Sequence, residues 1–162
     1  MAAMHQVLFA LTLLAALGCG LIAGVFFAFS SFVMKALARL PASAGIAAMQ
    51  SINIVVLRSL FMAIFLGTAA VCVLASIYSL FRLQELGVVY IFVGSVLYLV
   101  GSFLVTIVFN VPRNEALAKL VPTDSSSASS WSGYVASWTT WNHVRTLAAL
   151  AAAASFSVAL AY

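Results

Sequence analysis

Apolar residues in this chain fall into four long blocks separated by polar seams. The first covers about residues 7–34 and stops at Lys35; the second covers about 54–78 and stops before Arg82. The third covers about 87–109 and stops at Asn110 and Pro112; the fourth covers about 141–162. Each has at least the roughly 20 residues that a helix needs to cross a hydrocarbon layer. The first is longer than that, so it has to tilt or project. No Lys or Arg precedes it and its apolar stretch is too long for a signal peptide, so it is read as a span. All four blocks are predicted to be helices, because an open sheet cannot satisfy its backbone in lipid. The expected fold is therefore all-α, an integral membrane four-helix bundle forming a single domain over 1–162.

The seams differ in character. The first, Lys35 to Asn53, holds Arg39-Leu40-Pro41 and then a short helix-like piece, Ala42 to Gln50. The second, Ser79 to Leu86, is short enough to make the middle helices antiparallel neighbours. The third, 111–140, is the longest linker, with the polar run Thr123 to Ser127 followed by the aromatic Trp131-Ser132-Gly133-Tyr134. Four spans put the first and third linkers on one side of the membrane and the second linker with both termini on the other. Lys35, Arg39, Arg113 and Lys119 lie on the first side, and in the second linker only Arg82. Cation excess marks the cytoplasmic side, so the long linkers are expected in the cytoplasm and both termini outside. Small residues suggest where helices touch: Gly20 and Gly24 with Ala28 and Ser31, Gly94 and Gly101, and the alanines from Ala148 to Ala154.

Composition supports lipid as the solvent. Of 162 residues, 65% are hydrophobic and 6% charged, against about a quarter charged in soluble domains. The lipid bilayer is thus the first expected partner. The net charge of +4 comes from cations at block boundaries rather than from a basic patch, so nucleic acid is not an expected partner. Cys19 and Cys72 both lie inside apolar blocks, which argues against a disulfide scaffold.

Polar residues gather at one boundary of the four blocks. Ser30 and Ser31 end the first, and Asn53 and Arg58 open the second. Asn110, Arg113 and Asn114 close the third, and Trp138, Trp141, Asn142, His143 and Arg145 open the fourth. The opposite boundary offers His5, Gln6, Arg82 and Glu85. Arg58 and Arg145 each lie about one turn inside an apolar segment, where a charge costs a few kcal/mol unless it snorkels, pairs or lines a wet cavity. No carboxylate is an obvious partner, since Glu115 and Asp124 fall in the third linker and Glu85 on the other side. Were Trp131 to Arg145 one helix, Trp131, Tyr134, Trp138, Trp141, Asn142 and Arg145 would share a stripe, while His143 would point about 140° away from Trp138. Two readings stay open: an interfacial aromatic belt with snorkelling cations, or an aromatic-walled ligand site with His143 as proton acceptor. No Gly-rich phosphate loop, HExxH or CxxC occurs. His5 and His143 fall on opposite sides, and the chain has three carboxylates in all, so no metal and no cofactor are expected.

Four ordered segments resemble a known family. They are Gly20-Leu21-Ile22-Ala23-Gly24-Val25-Phe26-Phe27-Ala28-Phe29-Ser30 with Val33-Met34; Gln50-Ser51-Ile52-Asn53; Asn110-Val111-Pro112-Arg113-Asn114 with Leu117; and Trp138-Thr139-Thr140-Trp141-Asn142-His143-Val144-Arg145-Thr146. Together they resemble the anthrone oxygenase-like membrane proteins. The resemblance implies a four-helix membrane bundle. It also implies, for some members, oxidation of a flat aromatic or polyketide-like substrate by molecular oxygen without an evident cofactor. On that basis His143, Arg145 and Asn142 are the catalytic candidates. Ser31, Asn53, Asn110, Asn114, Trp138 and Trp141 are the substrate-binding candidates. A hydrophobic aromatic small molecule and oxygen are then the expected partners, and a homo-oligomer is compatible with the sequence. The competing class is a non-catalytic membrane protein that binds a lipid, a quinone or a partner subunit with the same cluster.

Overall fold

The computed structural model describes residues 2–124 and 126–162, with side chains from Gln6 onward. Ser125 and the His5 side chain, both noted in the sequence, lie outside the described residues. Helix α1 (Ala2–Ala28) continues through a π-helical turn (Phe29–Val33) into α2 (Met34–Ala38) as one rod. Helix α3 (Ala42–Val56) is short and α4 (Leu60–Leu80) long. Helix α5 (Leu86–Tyr98) passes through two π-helical turns, Leu99–Leu104 and Thr106–Asn110, into α6 (Val111–Ala118); α7 (Ser127–Ala159) ends the chain. No strand occurs among the described residues.

Local chemistry sets boundaries that hydropathy alone misplaced. The second apolar block does not start one helix at 54. Ile54 to Val56 close α3, and α4 begins only at Leu60. Ser59 makes the break: its backbone is extended (φ −91°, ψ 160°) and its hydroxyl accepts the Met62 N–H at 3.4 Å, an N-cap that satisfies an orphan donor. Arg58 therefore sits in an exposed turn rather than one turn inside a span. The third block likewise does not stop at 109. The rod runs to Ala118, with the turn Thr106–Asn110 widened just ahead of Pro112. A proline ring crowds the carbonyl four residues earlier and offers no N–H, and a widened turn relieves both problems. The fourth helix starts at Ser127, not near 141, so the stretch read as a 111–140 linker is mostly helical. What joins α6 to α7 is a short segment around Asp124. The Asp124 carboxylate accepts the Ser126 N–H at 2.9 Å, which holds it below its usual range.

Helix α7 lies against α1 and α5, and α4 also packs on α1 and α5. Cys19, Ile22, Phe26, Phe65, Tyr98, Ala149 and Phe156 form the core between them. Glycine permits the closest approaches. A Cβ on Gly94 would lie 3.1 Å from the Phe156 ring and 3.2 Å from the Ala152 carbonyl, and one on Gly101 would strike Ala148. Gly20 and Gly24, expected to form a contact stripe, have nothing against them. Ile22 and Phe26 fix the inward face of α1, and residues two positions away point about 200° around the helix.

A second, smaller core sits at one end. Met34, Ile46, Met49, Leu117, Trp131, Tyr134 and Trp138 pack together, so α2, α3, α6 and the start of α7 build a cap over the long helices. Three stretches are long and apolar enough to cross a membrane: Gln6–Ala38, Leu60–Leu80 and Leu86–Ala118. Large apolar side chains such as Leu17, Phe27, Leu74 and Leu147 face outward. The chain is thus an all-helical, multi-pass membrane protein. Helix α7 is long, but Asn142, His143 and Arg145 make it less apolar than the other three.

Candidate ligand site

The junction of bundle and cap is built around Arg145, which is 4% exposed. Its helix places it two turns beyond Trp138 and one turn beyond Asn142 on the same face, and all three are buried. One terminal nitrogen of Arg145 donates to Asn142 Oδ1 at 2.5 Å and the other to Thr106 Oγ1 at 3.2 Å. Its guanidinium carbon lies 4.2 Å from the Phe26 ring centroid and 5.0 Å from that of Trp138, so aromatic faces carry part of its solvation. No carboxylate pairs with it: among the described residues the salt bridge found is Arg82–Glu85, at the other end.

Each neighbour of the arginine is fixed by a further contact. Asn142 Nδ2 donates to the Phe26 carbonyl and to Ser30 Oγ, both at 2.7 Å. Ser30 lies 3.2 Å from Thr146 Oγ1. The π-helical turn at Phe29–Val33 carries Ser30 inward, and the turn at Thr106–Asn110 opens directly with Thr106. Asn114 Oδ1 accepts from Tyr134 Oη and Trp138 Nε1, each at 2.9 Å. With its oxygen so occupied, the Asn114 amide has only N–H groups left to offer a ligand.

A cavity of about 600 Å³ opens beside Arg145. Phe26, Phe29, Phe61, Phe65 and Trp138 supply aromatic wall, and Asn53, Thr106, Asn114, Glu115 and Arg145 supply polar wall. Asn53 Nδ2 and Arg145 Nε are buried without a hydrogen-bond partner. The Asn53 amide and the Arg145 guanidinium thus each keep an unpartnered N–H, on residues that line the cavity, which suits a ligand that presents acceptor oxygens or negative charge. The volume suits a molecule of a few fused rings. Toward the rim the lining includes Ile54 and Leu57, 70% and 65% exposed, so the cavity faces the apolar surroundings of the α3–α4 turn.

The sequence candidates separate into three groups. Arg145, Asn53, Asn114 and Trp138 line the cavity. Asn142 and Asn110 stand behind it: Asn142 holds the arginine, and Asn110 donates to the Trp138 carbonyl at 3.3 Å. Three candidates are turned elsewhere. His143 is exposed on the face of α7 away from the cavity, as its angular position required, and so is not placed to act as a base there. Ser31 donates to its own helix at the Phe27 carbonyl, 2.7 Å away. Trp141 stacks on Phe109, with centroids 3.5 Å apart. The sequence reading missed the roles of Phe26 and Thr106 and the position of Glu115. Phe26 carries no polar mark in a Phe-rich helix, and Thr106 and Glu115 reach the site because α5 and α6 form one rod through Pro112.

A family model described as anthrone oxygenase matches residues 58–155, more than half of the chain. The chain belongs to the anthrone oxygenase family. Within the match lie Thr106, Asn114, Glu115, Trp138 and Arg145. No curated protein and no solved structure matches the chain at a significant level.

Proposed function

We propose that this member of the anthrone oxygenase family is a four-span membrane oxygenase that oxidises a flat aromatic ketone with molecular oxygen, without a bound cofactor. The observation that carries the reading is Arg145, a buried cation paired with no carboxylate, walled by aromatic rings and lining a cavity beside the unpartnered Asn53 amide. An anthrone carries an acidic C–H directly across its central ring from the carbonyl. Loss of that proton moves electron density onto the carbonyl oxygen. Arg145, with Asn53 and Asn114, stabilises the resulting enolate. Phe26 and Trp138 hold both the guanidinium and the ring plane. The electron-rich enolate then passes an electron to oxygen inside a partly dry pocket. The apolar rim suits a substrate that arrives dissolved in lipid.

The test is oxygen uptake and quinone formation from a 1,8-dihydroxyanthrone by purified protein in detergent, with the protein-free autoxidation rate subtracted. Arg145→Lys keeps the charge but loses the planar five-donor fork. It is expected to lower turnover at least tenfold while the melting temperature shifts by only a few degrees. A protein that binds the anthrone tightly without consuming oxygen would replace the oxygenase by a binding protein for quinones or lipids. Equal activity in Arg145→Lys would remove Arg145 from the chemistry.

A further inference from the structure

The oxygenase reading needs a proton acceptor, and His143 faces away from the cavity. One carboxylate lines it: Glu115, on α6, one residue beyond Asn114. Glu115 is exposed, whereas Arg145 is buried. A cation thus lies at the inner end of the cavity and a carboxylate at its rim. This polarity matches the substrate class. In an anthrone the carbonyl oxygen and the acidic carbon point in opposite directions along one axis, so a molecule whose oxygen reaches Arg145 turns its acidic C–H toward the rim. Glu115 has no ion-pair partner among the described residues, since the salt bridge found there joins Arg82 and Glu85. Its acceptor oxygens are therefore not committed to a cation.

Resting on the oxygenase reading, we propose that Glu115 is the general base, taking the proton from the carbon opposite the carbonyl held by Arg145. The C–H bond breaks, its proton goes to the Glu115 carboxylate, and its electron pair delocalises onto the Arg145-bound oxygen. The enolate gives one electron to O2, and the radical pair couples to form a C–O bond. The peroxide anion takes the proton back from Glu115 to give a hydroperoxide. Glu115 removes the second proton from the same carbon as the O–O bond breaks, the C–H electrons form the new C=O, and hydroxide leaves to be protonated to water. One CH2 and one O2 yield one C=O and one H2O, and Glu115 ends as it began.

The experiment compares wild type, Glu115→Gln and Glu115→Ala in detergent, using a 1,8-dihydroxyanthrone and the same substrate deuterated at its acidic carbon. Glu115→Gln is expected to lower kcat about a hundredfold or more, the range that general-base catalysis covers. Product-quinone affinity should change less than threefold. Added formate should restore part of the rate to Glu115→Ala, where the removed side chain leaves room for it. Wild-type activity with a hydrogen isotope effect, alongside full activity in both variants, would overturn the role of Glu115 and leave the oxygenase reading standing. Absence of anthrone oxidation by the wild type would overturn that reading and the base with it.

Discussion

Arg145 is held by an amide, a hydroxyl and two aromatic faces, so its position depends on groups that are neutral. Asn142 is the most exacting of these. Its oxygen accepts from the arginine while its nitrogen bridges the Phe26 carbonyl and Ser30. Asn142→Ala removes all three contacts and leaves buried donors and acceptors unmatched. Each such loss costs about 1 kcal/mol inside a membrane protein, often less. We expect a melting temperature lower by several degrees together with impaired ligand binding, read by thermal unfolding in detergent and by ligand quenching of tryptophan fluorescence. In Asn142→Asp a carboxylate beside the guanidinium would neutralise it. That variant should keep more stability than Asn142→Ala yet bind anionic ligands more weakly, and tighter anion binding would contradict the account of the site. At this scale the sequence was informative wherever a polar residue interrupted an apolar block, which is how Asn53, Asn114 and Arg145 stood out. Phe26 could not be singled out, because its importance comes from what it touches and not from its type.

Among elements, the helices meet where glycine admits a neighbour, and not at every glycine. Gly94→Ala puts a methyl 3.1 Å from the Phe156 ring, closer than ordinary carbon contact. Gly24→Ala puts one into open space on the outer face of α1. The first is expected to lower the melting temperature by several degrees and the second to leave it within about a degree, in parallel thermal melts. The reverse ranking would mean that α1 packs through its Gly20–Gly24 face. Spacing alone could not separate these glycines, since four-residue intervals occur on inward and outward faces alike. Apolar runs located the long helices well. They failed at Ser59 and Pro112, where capping and ring sterics outweigh hydropathy in opposite senses: Ser59 ends one helix and starts the next inside an apolar run, while the chain passes Pro112 without ending its rod. The polar start of α7 has the composition of a linker because its inward stripe, Trp131, Tyr134 and Trp138, packs within the cap and not on lipid.

For the molecule as a whole, asymmetry between the two ends is the dominant feature. The cap end carries Lys35, Arg39, Arg58, Arg113 and Lys119, and the other end carries Arg82 paired with Glu85 at 3.2 Å. Moving Arg58 into the turn strengthens the cation excess on the cap side. We therefore expect the cap in the cytoplasm and both termini outside. A C-terminal fusion should be active as a periplasmic or extracellular reporter and silent as a cytoplasmic one; the opposite pattern would place the cap in the other compartment.

The π-helical turns carry a consequence for how such a chain can change length. A widened turn holds one residue more than the α-helical turn it replaces, and one residue is worth about 100° of rotation for everything beyond it. Losing a residue from Phe29–Val33 would leave the bundle half of the rod in place but swing Met34 away from Ile46 and Met49. Gaining one beside Pro112 would swing Asn114 and Glu115 off the cavity together. Cap and bundle are thus kept in phase by residue count as well as by residue type. A descendant could replace many apolar side chains here and keep its site, yet lose it through a single-codon deletion that removes no side chain from the cavity wall.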